Sequence, residues 1–201
     1  MDHKELAKGI WQFDIPEDMA KNIIDIAEAS EAVNWSKSTV GANTDPNQQI
    51  RTSSSIAFRE YFPFWDDEIR KIFIPMVQEY TKEFGINITQ DEGFGMLRYQ
   101  LTNKYDLHAD SDWHTYRVLS GLIYLNPSDY TGGETYFKHF DLNVKPEKPA
   151  VVLFPSDYVY LHAAKPVTDG VKYVLVTWMN DLPIGMNFQV MKEIARITGR
   201  E

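Results

Sequence analysis

The stretch RVLSGLIYLNPSDYTGGETYF, residues 117–137, places an apolar run, a turn cluster and a second short β-rich run in succession. The run from Arg117 to Leu125 ends at Asn126-Pro127-Ser128-Asp129, where proline removes a backbone donor and the small polar residues favour a turn. Two strands, Arg117–Leu125 and Glu134–Phe137, are therefore predicted on either side of NPSDYTGG. Working outward, the same texture gives Phe94–Gln100, Ala150–Phe154, Tyr158–His162 and Val171–Met179 as further strands. Short strands at this spacing predict an all-β sandwich or jelly roll for the second half of the chain.

Upstream of about residue 90 the period changes. Pro16 suits a first helical residue, Glu17 and Asp18 suit the positive helix end, and Met19, Ile23, Ile26 and Ala27 fall on one face. A second stripe, Trp65, Ile69, Ile72, Phe73, Met76, Tyr80 and Phe84, predicts a helix ended by Gly85 and kinked or split at Pro75. The polar stretch Ser36–Gln49 reads as a long loop. The class is α+β, mainly β: a double-stranded β-helix (jelly roll, cupin-like) with N-terminal helices laid on one sheet. At roughly 150 residues per domain, the 201 residues predict one domain. It divides into helical support and a substrate-side loop (1–90), the jelly-roll core (91–180) and a C-terminal extension (181–201).

Composition narrows the chemistry. Lys plus Arg is 20 against 29 Asp plus Glu, a net charge of −9, which disfavours a nucleic-acid partner because backbone binding needs a basic surface. The acidic surface suits a basic or neutral peptide, or is simply solvated. Cysteine is absent, removing disulfides, thiolate metal sites and cysteine nucleophiles and leaving His, Asp and Glu as the strong ligands. The N-terminus MDHKELAKGIWQF has no signal-peptide pattern, and no run approaches the ~18 apolar residues of a membrane span. A cytoplasmic protein without a membrane partner is expected.

Two H-x-D triplets occur, at 108–110 and 139–141. In an extended segment residues i and i+2 share a face, so either could offer an imidazole and a carboxylate to one ion. A chance match is expected on the order of once in a chain of this composition, so context decides. His108 and Asp110 precede an apolar strand, and His162 ends a later one 54 residues on. Together they form the two-His-one-carboxylate arrangement that leaves open positions on a non-haem Fe(II). The pair His139 and Asp141 lies nearer His162 and remains an alternative. Lys172 opens the last apolar strand, where it either pairs a carboxylate inside the sandwich or stands on the surface at a strand start. Trp113, Tyr116, Tyr130 and Tyr136 either shape a binding groove or pack the sandwich. Packing is favoured for Tyr136, while Trp113 and Tyr116, beside the metal pair, are kept as substrate candidates.

Several segments in order resemble the 2-oxoglutarate-dependent Fe(II) oxygenases of the prolyl 4-hydroxylase type. These are IRTSSSIAF, RVLSGLIYLN, GGETYF and HAAKPVTDGVKYVLVTW, running from about Ile50 to Trp178. The resemblance implies Fe(II) held by His108, Asp110 and His162, with 2-oxoglutarate and O2 as cosubstrates and ascorbate as reductant. It implies that Lys172 binds the distal carboxylate of 2-oxoglutarate, helped by Thr135, Tyr99 and Tyr124. It places Arg117, Tyr105 and Trp178 at the reaction site and Glu92 in the peptide pocket. The implied activity is hydroxylation of prolyl residues in a peptide or protein to 4-hydroxyproline, with release of succinate and CO2. The insert SDWHTY, between Asp110 and Arg117, and the missing cysteines depart from the collagen-modifying members. A free amino acid or another side chain as substrate, and a non-catalytic jelly-roll module that binds a metal or ligand, are the alternatives.

Overall fold

The structure, a computed structural model, describes residues 2–39, 49–111, 115–181 and 196. Strands β1 (Lys4–Ala7) and β2 (Ile10–Asp14) lead into helix α1 (Glu17–Ala29). Strands β3 (Ser36–Lys37) and β4 (Ser54–Ala57) lead into α2 (Phe58–Tyr61) and α3 (Pro63–Phe84). The rest is β5 (Gln90–Asp91), β6 (Gly95–Tyr99), β7 (Tyr105–His108), β8 (Arg117–Tyr124), β9 (Tyr130–Gly132) and β10 (Thr135–Phe137), then β11 (Leu142–Val144), β12 (Ala150–Pro155), β13 (His162–Ala164), β14 (Val167–Gly170) and β15 (Lys172–Asn180).

The strands make a large sheet in the order β1-β2-β12-β8-β15-β6-β4-β3, with β5 paired to β15. A four-stranded sheet runs β11-β10-β13-β7, and β14 pairs β9. Side chains alternate across the large sheet, as the strand period of two requires. On one face Leu119, Ile123, Val151, Leu153 and Leu175 pack with Ile23, Ile69, Phe73 and Met76 of the helices. On the other, Tyr124, Val152 and Phe154 meet Phe137 and Val144 of the smaller sheet, while Leu97, Val174 and Val176 meet Tyr130 and Val167. Each fully buried apolar side chain contributes roughly 1.5–3 kcal/mol, so both faces of the large sheet are stabilising. Among the described residues no helix is long and apolar enough to cross a membrane.

The strands predicted from the sequence at 94–100, 117–125, 134–137, 150–154 and 171–179 correspond to β6, β8, β10, β12 and β15. Other details differ. The first ninety residues are not purely helical support, because β1, β2, β3 and β4 extend the large sheet at both ends. Helix α3 is one helix through Pro75, not two; packing of Ile69, Phe73, Met76 and Tyr80 along a single face outweighs the one backbone bond that proline removes. In α1 the buried face is Ala20, Ile23 and Ala27, and Ile26 is turned to solvent. Residues 158–160 form a 3-10 turn capped by Asp157, whose carboxylate accepts from the Val159 amide, and the strand begins only at His162. The turn NPSDYTGG contains β9, while Ser36 and Lys37 form β3 within the predicted loop.

Candidate active site

Strands β7 and β13 are antiparallel neighbours with His108 opposite His162. That register places two imidazoles from distant parts of the chain side by side, their ring centroids 4.3 Å apart. Asp110, two residues beyond β7, closes the group: Oδ1 lies 3.5 Å from His108 Nε2 and Oδ2 lies 3.7 Å from His162 Nε2. One ligand atom from each residue falls within 4.8 Å of the others. The Nδ1 of His108 donates to the Asp106 carbonyl at 2.8 Å and that of His162 to the Tyr160 carbonyl at 3.1 Å. A ring nitrogen bound to a carbonyl carries the proton, so both Nε2 lone pairs are left for an ion.

The electrostatics agree with a cation site. Burial disfavours the charge of Asp110, but the His162 and His108 imidazoles and the Ser120 hydroxyl outweigh it and hold the carboxyl below its ordinary range. Burial pushes His162 down to about 4, which keeps that imidazole neutral, as a metal ligand must be. Two nitrogens and one oxygen at this spacing suit Fe(II) with open positions rather than a closed tetrahedral site.

A cavity of about 350 Å³ opens beside these three residues. Its apolar wall comes from Leu97, Leu122, Ala164, Val174 and Val176, and its polar groups include Tyr99, Thr135 and Lys172. Lys172 is buried; its ammonium donates to the Gly133 carbonyl at 2.8 Å and lies 5.2 Å from the Tyr99 ring and 5.0 Å from the Tyr124 ring. Tyr124 donates to Thr135 Oγ1 at 2.5 Å. Burial lowers the Lys172 amine to about 7. A buried ammonium facing a polar-lined cavity suits the far carboxylate of a small dicarboxylic acid. The surface-lysine alternative is excluded. The GG pair explains itself here: Gly132 and Gly133 both have positive φ, and a Cβ on Gly132 would stand 2.4 Å from the Pro166 carbonyl oxygen.

At the rim, Arg117 makes a two-pronged pair with Glu92, at 2.7 and 2.6 Å, and donates to the Asp110 carbonyl at 3.1 Å. Its guanidinium lies 3.9 Å from the Trp178 ring. Helix α3 sets the position of Glu92, because Arg70 holds the neighbouring Asp91 through two bonds of 3.0 Å. Tyr105 stacks on His108 with centroids 3.6 Å apart and carries Arg51 on its ring at 4.6 Å. Arg117, Tyr105 and Trp178 line the cavity; Glu92 reaches it through Arg117, and Thr115 rather than Tyr116 is on its wall. Trp113 lies outside the described residues. Among the described residues the cluster that could hold an ion is His108, Asp110 and His162; the second H-x-D triplet lies outside it, with His139 bonded to the Val159 carbonyl and Asp141 accepting from Tyr136. Arg51, Thr39, Ser120 and Ser156 were not singled out in the sequence. The alternation of β8, which aligns Ser120 with Leu122 and Tyr124, is the signal that could have found Ser120.

Residues 94–180 match the family model described as the 2OG-Fe(II) oxygenase superfamily. The chain is 33% identical over 120 residues to prolyl 4-hydroxylase 13 of Arabidopsis thaliana, covering 45% of this chain and 43% of that protein. It spans about half the length of its viral and plant relatives, 64%, 41% and 43% of three of them. Among solved structures, a Pseudomonas putida prolyl-4-hydroxylase aligns with a TM-score of 0.67 at 16% identity, covering 87% of this chain and 94% of that one. A Trichoplax adhaerens prolyl hydroxylase, in complex with a hypoxia inducible factor peptide fragment, aligns with a TM-score of 0.68 at 17% identity over 86% and 84% of the two chains. These two likenesses show the fold.

Proposed function

We propose that residues 94–180, which match the 2OG-Fe(II) oxygenase family model, form an oxygenase domain of the prolyl 4-hydroxylase type, and that the protein hydroxylates prolyl residues of a peptide or protein, converting 2-oxoglutarate and O2 to succinate and CO2. The observation that carries this reading is a single cavity joining the His108, Asp110 and His162 cluster to the buried ammonium of Lys172. The two facing sheets are read as a double-stranded β-helix forming one catalytic domain.

His108, Asp110 and His162 hold Fe(II). When bound, the ion supplies, with 2-oxoglutarate and O2, oxidative decarboxylation and the transfer of one oxygen atom to a C–H bond. Lys172 pairs the far carboxylate of 2-oxoglutarate, and the hydroxyls of Thr135, Tyr99 and Tyr124 share in holding it. The apolar wall of Leu122, Val174 and Val176 excludes water from the cosubstrate. Tyr105 fixes the plane of the His108 ring by stacking. Arg117 and Trp178 face the target, with Glu92 orienting the guanidinium. Position is the protein's main contribution, since a target hydrogen slightly out of line is not the one removed.

The test is succinate release with Fe(II), ascorbate as the reductant and 2-oxoglutarate, combined with mass spectrometry of proline-rich peptides and free proline. The expected result is a gain of one oxygen atom on peptidyl proline, with His108→Ala abolishing both product and succinate. Oxygen added only to other residues or to free proline overturns the prolyl reading and leaves the oxygenase. Failure to release succinate under any condition favours a non-catalytic binding module.

A further inference from the structure

Asp110 is supported by hydroxyl groups that ligand identity alone does not require. Ser120, in β8, is buried, and its Oγ lies 2.7 Å from Asp110 Oδ2. Ser156, immediately after β12, is equally buried, with its Oγ 2.8 Å from that of Ser120. An ionised carboxylate only accepts, so the single hydroxyl hydrogen of Ser120 goes to Asp110. Ser156 must then be the donor to Ser120. The hydrogen bonds therefore point one way, from Ser156 through Ser120 to Asp110 Oδ2.

The strand pairing builds this chain of hydroxyls. Strands β8 and β12 are antiparallel, with Phe154 opposite Ser120 and Pro155 opposite Leu119, so Ser156 emerges where β8 presents Ser120 inward. The Ser156 carbonyl also accepts the Ser111 amide at 2.8 Å. One residue thus ties down both the carboxylate of Asp110, through Ser120, and the main chain beside it.

We propose that Ser120 and Ser156 are positioning residues that occupy Oδ2 of Asp110 and present Oδ1, the oxygen 3.5 Å from His108 Nε2, to the ion. This rests on the metal-site reading above. A carboxylate held by one oxygen cannot swing to cover a second position on the ion, and the open positions of the two-His-one-carboxylate arrangement are the ones a cosubstrate needs. Loss of groups that orient metal ligands typically costs 10–100-fold in metal affinity or activity.

The experiment titrates Co(II), without O2, into the parent, Ser120→Ala and Ser156→Ala, and follows the visible absorption of the bound ion before and after adding 2-oxoglutarate. The parent binds Co(II), and its spectrum shifts with 2-oxoglutarate. Ser120→Ala is expected to bind Co(II) roughly tenfold to a hundredfold more weakly, with an altered spectrum and a weakened response to 2-oxoglutarate. Ser156→Ala shows the same changes at smaller size. Circular dichroism checks the fold; if Ser120→Ala does not fold, Ser156→Ala decides. Parent-like affinity and spectrum in the folded variants, beside a parent that binds Co(II), overturn the positioning role alone. A parent that binds no Co(II) overturns the metal reading and this role with it.

Discussion

The two faces of the large sheet are built from the same strands and do opposite work. In β15, Tyr173, Leu175 and Met179 join the helix-side core, while Lys172, Val174, Val176 and Trp178 line the cavity. In β8, Leu119 and Ile123 face the helices, whereas Ser120 bonds the Asp110 carboxylate and Tyr124 bonds Thr135. The helix-side face is largely apolar and closed, with Thr177 a buried polar exception, and its apolar residues stabilise by burial. The cavity face keeps an ammonium, hydroxyls and a carboxylate out of water, which costs stability unless each is bonded. One strand thus carries both the fold and the chemistry on alternate residues.

The contrast breaks most sharply under substitution. Leu153→Ala, on the helix side and fully enclosed, is expected to cost roughly 2–5 kcal/mol in urea unfolding and to keep 2-oxoglutarate binding in the molecules that remain folded. Lys172→Met is expected to do the reverse: 2-oxoglutarate binding is lost by calorimetry, while Tm stays level or rises, because a buried charge gives way to an apolar chain of similar length. A Lys172→Met protein that unfolds as readily as Leu153→Ala would show that the ammonium is part of the core.

A smaller effect comes from pH. Burial lowers the Lys172 amine from 10.5 to about 7, so between about 7 and 10.5 the unfolded chain binds the extra proton. Stability from this group therefore rises with pH across that window and is lowest below it. Cosubstrate binding runs the other way, because only the ammonium pairs a carboxylate: above pH 7 the affinity for 2-oxoglutarate falls, by up to about tenfold per pH unit, with proton uptake on binding. Calorimetry in buffers of different ionisation enthalpy reads that uptake; an affinity flat from pH 7 to 9 would remove Lys172 from cosubstrate binding.

The smallest expected change is Glu92→Gln. Its pair with Arg117 lies at the partly exposed rim, where such pairs contribute about 0–1 kcal/mol, so Tm hardly moves. With one of the anchors of Arg117 weakened, the KM for a proline peptide is expected to rise while that for 2-oxoglutarate stays level. A change in both would place Glu92 with the cosubstrate instead.

The sequence made the cavity-side chemistry legible because its signals are local or widely spaced in a recognisable order. His108 and Asp110 are two residues apart on an extended segment, and Lys172 opens a long apolar strand. The buried stripe of α3 was equally plain. What was hidden depends on pairing between distant segments. Strands β1 and β2 become strands by joining the sheet edge at β12, and β7 forms opposite β13. Ser156 gains its role only where β12 ends beside Ser120. Pro75 left a kink or a split open, and the split does not occur because the packing of a whole helix face outweighs the loss of one backbone bond.

The pairing of His108 with His162 across β7 and β13 has a kinetic consequence. The two imidazoles come together only in one register, and a slip of one residue would turn one of them to the opposite face. An ion that binds the pair therefore binds no isolated strand and no misregistered sheet. Its binding energy is added to the correct alignment alone, growing as RT ln(1 + [L]/Kd). A metal held by this pair, as proposed, would act as a proofreader of strand alignment, slowing the opening of a correctly zipped β7–β13 ladder and giving a wrongly zipped one nothing to hold.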